Sequence, residues 1–291
     1  QSTLPGEFII IKSIKSKEVA KNALAVQAGR DVNVGMSFTE VERVFTILFE
    51  NNFPKLQEIA ARTAEENVTK FVGKLKEDFV RNSEKIDMSK IAEPDVQYMF
   101  NDIMKSNARK GEKANPEILS ALVVQRISTD SNDKLSLTCG EAMDIVPKLN
   151  TEHISFLTFH QMMYKVFNLA YTKYTEFEEW GQLIMKVSNN IFELSDINIK
   201  YLEYLGVLSK DYVVQNRFYK GTLKAYPFLK DVAYNVMDNE FKVNAPTFYN
   251  LIKYCENNFL SQIQLTPIGQ LIALVNIKKV IPAIDYKVWI N

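Results

Sequence analysis

From Ser37 to about residue 190, large apolar residues return every three or four positions, block after block, and this periodicity restricts the chain to a helical body. Ser37-x-x-Glu40 has the form of a capping box, each side chain bonding an orphan N–H at the other end of the turn. Val41, Val44, Phe45, Leu48 and Phe49 follow as one face, and Pro54 is expected to restart a helix reaching about Asn82. In that helix Leu56, Ala60, Ala64, Val68, Phe71, Leu75 and Phe79 drift around the axis, which fits a globular bundle better than a long coiled coil. Further helices are expected around Val96 and Ile103, from Pro116 through Ile127, at Leu135–Leu149, at Thr151–Phe167 and at Glu176–Val187. Short connections favour antiparallel neighbours.

Both ends of the chain break this rhythm. Residues 1–36 read as a β-like arm: Phe8–Ile14 is β-branched, and Gln27–Gly35 alternates polar and apolar residues. Residues 191–291 read as a smaller α+β module. A helix ends at Gly206, Tyr212-Val213-Val214 suits a strand, and Thr266 is placed to cap a helix starting at Pro267. The expected fold is therefore mainly α, a multi-helix bundle or array over 37–190, with the short arm before it and a winged-helix-like module after it.

Lysine plus arginine and aspartate plus glutamate each number 35, which lowers the expectation of a dedicated duplex binder, since phosphate neutralisation needs a basic excess. Two cysteines, Cys139 and Cys255, with two histidines supply neither a disulfide framework nor a four-ligand zinc site. The longest uncharged stretch, Asn257–Ile277, holds glutamines, a proline and a glycine, which argues against a membrane span. A cytoplasmic chain with no cofactor is expected.

His153 and His160 share a helix face but lack the H-E-x-x-H pattern or a carboxylate partner, so core packing is favoured over metal or catalysis. Asp95, Asp102 and Arg109 recur every seven residues beside an apolar seam, where interhelical ion pairs are commoner than acid–base chemistry. No phosphate loop or nucleophile elbow is present. No catalytic residue is assigned. The arm is the sharper candidate: Gln27, Arg30, Val32, Asn33 and Val34 form a short strand pattern suited to pairing with a second copy. In the C-terminal module, Lys210, Arg217, Lys220 and Lys224 stand among aromatic residues, an arrangement suited to nucleic acid.

Several short motifs occur in a fixed order: Gln27–Gly35, Asn52-Phe53-Pro54-Lys55-Leu56, Asp95-Val96-Gln97 with Ala108-Arg109, Glu141-Ala142 with Pro147-Lys148-Leu149, and Leu265-Thr266-Pro267-Ile268-Gly269. In this order the chain resembles a poorly characterised family of bacterial proteins that is distantly similar to the abortive-infection alpha family of phage-resistance proteins. The resemblance implies a helical cytosolic protein in antiphage defence and carries over no catalytic residues. The expected function is thus a non-enzymatic, self-associating defence protein that contacts a phage or host protein. The alternative is a nucleic-acid-binding regulator using the C-terminal module.

Overall fold

The computed structural model describes residues 38–166, 170–189, 194–211 and 218–290, excepting the side chains of residues 38–42, 44–56, 219 and 220. The arm with Gln27, Arg30, Val32, Asn33 and Val34, the expected strand at Tyr212-Val213-Val214, and Arg217 lie outside the described residues. Two units divide at Leu56, and the packing below is that of the second, Gln57–Asn291.

The fold is mainly α-helical, as the periodicity predicts. Helix α1 runs from Phe38 to Arg81 without the expected restart at Pro54. A proline inside a helix removes one rung of the ladder, and the Ala-, Glu- and Lys-rich sequence that follows favours continuation of the helix. Helices α2 (Pro94–Lys110) and α3 (Pro116–Arg126) both open on a proline, whose missing N–H is no loss in the first turn. Helix α4 (Asp133–Ile145) is capped by Asn132, which accepts the Leu135 N–H at 2.8 Å. Helix α5 (Thr151–Tyr164) starts in a full capping box: Asn150 accepts the His153 N–H at 2.8 Å, and His153 Nδ1 accepts the Asn150 N–H at 3.3 Å. Helix α6 (Glu176–Val187) matches its expected bounds.

Helix α7 (Asp196–Tyr204) is closed by Gly206 at φ +72° and leads into strand β1 (Leu208–Lys210). One short helix, α8 (Phe218–Gly221), and two longer ones, α9 (Tyr234–Asn244) and α10 (Pro246–Asn257), precede strand β2 (Ile263–Leu265). β2 pairs antiparallel with β1 through Leu208–Leu265 and Lys210–Ile263. Helix α11 (Pro267–Lys278) then begins on the expected cap, with Thr266 Oγ1 accepting the Gly269 N–H at 3.3 Å.

α11 differs most from its expected setting. It packs chiefly along α5 and also on α4 and α3, and Leu271 through Val275 are all buried. A helix apolar on every side belongs in a core. It therefore stands in the middle of the body built by the preceding helices, and it offers no exposed face for a DNA groove. Among the described residues, one apolar cluster runs from Phe71 to Ile290 and includes α11.

Beside this centre, Phe177 is the hub of an aromatic cluster. Its ring lies 4.9 Å from that of Tyr226, 5.1 Å from Phe248 and 5.2 Å from both Tyr171 and Phe241. Among the described residues, no helix is long and apolar enough to cross a membrane.

Candidate functional site

His153 and His160 sit on one helix, and the fold gives them separate tasks. His153 closes the α5 cap and stacks obliquely on Tyr201 at 5.5 Å. His160 lies deeper, with Nε2 3.2 Å from the Leu260 carbonyl, a partner 100 residues away in sequence. Asp95 reaches Arg126 on α3 at 3.0 Å, the interhelical pair favoured by its position beside the seam. Asp102 instead pairs with Lys105 on its own helix at 2.9 Å. Both carboxylates, with Asp133 and Asp144, line an open groove of about 520 Å³ between α2 and α4.

Of the basic residues of the C-terminal region, Lys224 is less available than its sequence context implied. Lys210 is held in β1, and the Lys220 side chain lies outside the described residues. The Lys224 ammonium donates to the carbonyls of Leu229 (3.1 Å), Lys230 (2.5 Å) and Val232 (2.8 Å). It is also 5.3 Å from the centre of the Tyr234 ring. A cation so engaged with its own chain is not free to meet a phosphate.

The most developed site is a cavity of about 440 Å³ where the C-terminal half of α5 meets α8, β2 and the start of α11. His160, Gln161 and Tyr164 of α5 contribute to its wall. Gln161 is fully buried, and neither Nε2 nor Oε1 of its amide has a partner among the described residues. His160 Nδ1 and the Tyr164 hydroxyl are likewise unpaired. The hydroxyl lies beside the Cys255 thiol, at best a weak partner. The His160 and Tyr164 rings stack at 4.6 Å. A buried amide left unpaired costs about 1–3 kcal/mol, and departures from good packing chemistry concentrate at functional positions.

Sequence reasoning reached His160 and missed Gln161. A single glutamine in an apolar helix carries no motif, and what makes it unusual is the missing partner.

Burial pushes the His160 imidazole down to about 4, against two carbonyls that favour the charged form, with the Lys165 charge adding to the depression. His160 is therefore neutral at pH 7. The unfolded chain, with an ordinary histidine near 6.5, binds a proton that the folded state refuses between pH 6.5 and about 4. Stability is thus full above pH 6.5 and falls as the pH drops through this window, by about 3 kcal/mol at its foot. Burial depresses His153 as well, in the same direction. Thermal melts at pH 7.5 and 5.0 should show a loss that His160→Asn reduces, and an unchanged loss in that variant would refute the assignment.

The second feature lies on the surface. Ile197, Tyr201 and Tyr204 fall at i, i+4 and i+7 on α7 and are 79%, 36% and 84% exposed. Ile199 and Leu202 on the opposite side are buried. α7 thus carries apolar side chains on both faces, the outer stripe flanked by Asp196, Lys200 and Glu203.

The fold and these features define a helical protein with a surface pocket beside α5 and an apolar stripe on α7. A family model matches the chain over residues 35–242 and 231–290. The chain belongs to that protein family, whose function is unknown. No curated protein and no solved structure matches it.

Proposed function

We propose that this is a non-enzymatic protein that works through self-association, in the manner of an abortive-infection defence protein. The observation that supports the reading is the exposed stripe of Ile197, Tyr201 and Tyr204 on α7. Large apolar residues aligned on one helix face mark a surface that another protein covers. A second copy fits it. In an antiparallel two-fold pairing centred on Tyr201, Ile197 meets Tyr204 of the other copy. The symmetry repeats each contact. The defence setting comes from the motif resemblance, and the phage arm of the experiment addresses it separately.

The experiment compares the intact protein with an Ile197→Asp, Tyr204→Asp double variant. Both positions are exposed, so the fold should survive, and circular dichroism checks this. Light scattering at micromolar concentration should give a multimeric mass for the intact protein and a monomeric mass for the variant. A monomeric intact protein would remove the self-association reading. Bacteria expressing the intact protein should resist phage, and those expressing the variant should not; equal plaque counts with and without the intact protein would remove the defence reading.

A further inference from the structure

We propose that the groove between α2 and α4 receives a basic amphipathic helix of a partner protein, its apolar side chains seated between the two walls and its lysines or arginines over their carboxylates. α2 contributes Asp95, Tyr98, Met99 and Asp102, at spacings that place them on one helix face. α4 contributes Asp133, Leu137, Glu141 and Asp144 in the same way. On each wall, apolar residues thus stand about one turn from a carboxylate on either side. Tyr98 is 68% and Leu137 72% exposed, so both present apolar surface to solvent.

Charge names the occupant. The chain as a whole is balanced, with 35 basic and 35 acidic residues, yet the groove carries six carboxylates against Lys90 and Arg126. Both cations are engaged. The Arg126 guanidinium meets Asp95 at 3.0 Å and Glu93 at 3.5 Å, and the Lys90 ammonium donates to the Ser128 carbonyl at 2.7 Å. Asp102 has Lys105. Asp133, Glu141 and Asp144 are exposed and form no ion pair among the described residues. Unpaired like charges along an apolar groove favour a partner of opposite charge and steer its approach.

Gly140 points the same way on separate grounds. It lies inside α4, where glycine is about 1 kcal/mol worse than alanine. A Cβ there would meet nothing within 4 Å, so packing within the chain does not call for a glycine. Its missing side chain leaves a notch in the groove wall, in the turn that also carries Leu137. From Asp133 to Asp144 the wall runs about 16 Å, three helical turns. That length suits apolar anchors at i, i+3 or i+4, and i+7 of a helix laid in a groove. The inference stands apart from self-association through α7 and does not depend on it.

Fluorescence anisotropy of a labelled peptide with the whole chain tests the proposal. The probe is a helix-forming peptide of about 15 residues, with leucine at every third or fourth position and lysine beside each leucine. Its counterpart carries glutamate for lysine. The lysine peptide should bind at least about tenfold more tightly than the glutamate peptide, and should lose at least about tenfold on going from low salt to about 0.5 M salt. Glu141→Lys with Asp144→Lys should weaken binding at least about tenfold. Glu58→Lys with Glu65→Lys makes the same charge change at exposed positions of α1, and should leave the affinity within about twofold. Gly140→Gln keeps the charge, favours the helix and fills the notch; it should melt no lower than the parent and weaken binding at least about threefold. If the charge-reversed variant fails to fold, as circular dichroism would show, Gly140→Gln decides. The proposal is overturned by no binding of the lysine peptide at about 0.5 mM, by equal binding of the glutamate peptide, by full affinity in a folded groove variant, or by an equal loss in the α1 variant. A parent multimer that dissociates on Glu141→Lys with Asp144→Lys, while no peptide binds, would mean that a second copy covers the groove, and would overturn it as well.

Discussion

Gly269→Ala is expected to destabilise the protein by about 3 kcal/mol or more, the upper end of what overpacking a core costs. Gly269 sits in the first turn of α11, pressed against the link between α7 and β1. A Cβ there would stand 1.9 Å from the Val207 carbonyl oxygen and 2.9 Å from its carbon. That oxygen cannot step aside cheaply. It accepts the Thr266 N–H at 3.1 Å, while Thr266 Oγ1 donates to the neighbouring Gly206 carbonyl at 2.7 Å. Cap, turn and strand entry are thus bolted together through backbone atoms. For a chain of this size each kcal/mol lowers Tm by about 2–4 °C, so the drop should be on the order of 10 °C. Gly206→Ala is the comparison: its φ of +72° is unfavourable for alanine, but nothing lies near the new methyl, and about 1–2 kcal/mol is expected. A Gly269→Ala protein melting within a degree or two of the parent would show that α11 does not approach Val207 so closely.

Phe177→Ala should cost about 3–5 kcal/mol, the range for removing a buried aromatic ring. The ring is fully buried and is shared by α6, α9 and α10 and the segment around Tyr226. The hole it leaves is bounded by other rigid rings, which cannot collapse into it as flexible chains would. Gly181, one turn further along α6, lies so near the Phe248 backbone that a Cβ would be 2.8 Å from its nitrogen. α6 and α10 are thereby held at a fixed close spacing. Urea unfolding would measure the effect as a shifted midpoint at constant slope. A change below about 1 kcal/mol would mean that Phe177 is not the hub.

The elements were more legible than their arrangement. Ile118, Leu119, Leu122, Val123 and Ile127 are all buried where the periodicity put them. Thr266-Pro267 opens α11 with the expected cap and first-turn proline. These are local signals, written within one or two turns of helix. What could not be read is which apolar face meets which. α11 has the composition of a core helix, yet its distance in sequence from α5 gave no hint that α5 is its main neighbour. Pro54 misled because a proline's preference for a first turn is statistical, and α1 continues through it. At the pocket, His160 drew notice as a residue type. Gln161 becomes conspicuous only when the fold has denied it a partner, and its neighbours Thr222 and Gln264 are far along the chain.

Lys224 shows how a charge can be spent inside a structure. Its ammonium gathers three backbone carbonyls within four residues, Leu229, Lys230 and Val232, much as a potassium ion would be coordinated by a loop. The ion here is tethered to the chain that binds it. It cannot be dialysed away or chelated, and its local concentration does not change with the medium. The loop that leads into α9 therefore has a built-in electrolyte, set in place by a side chain whose charge, read in the sequence, pointed outward.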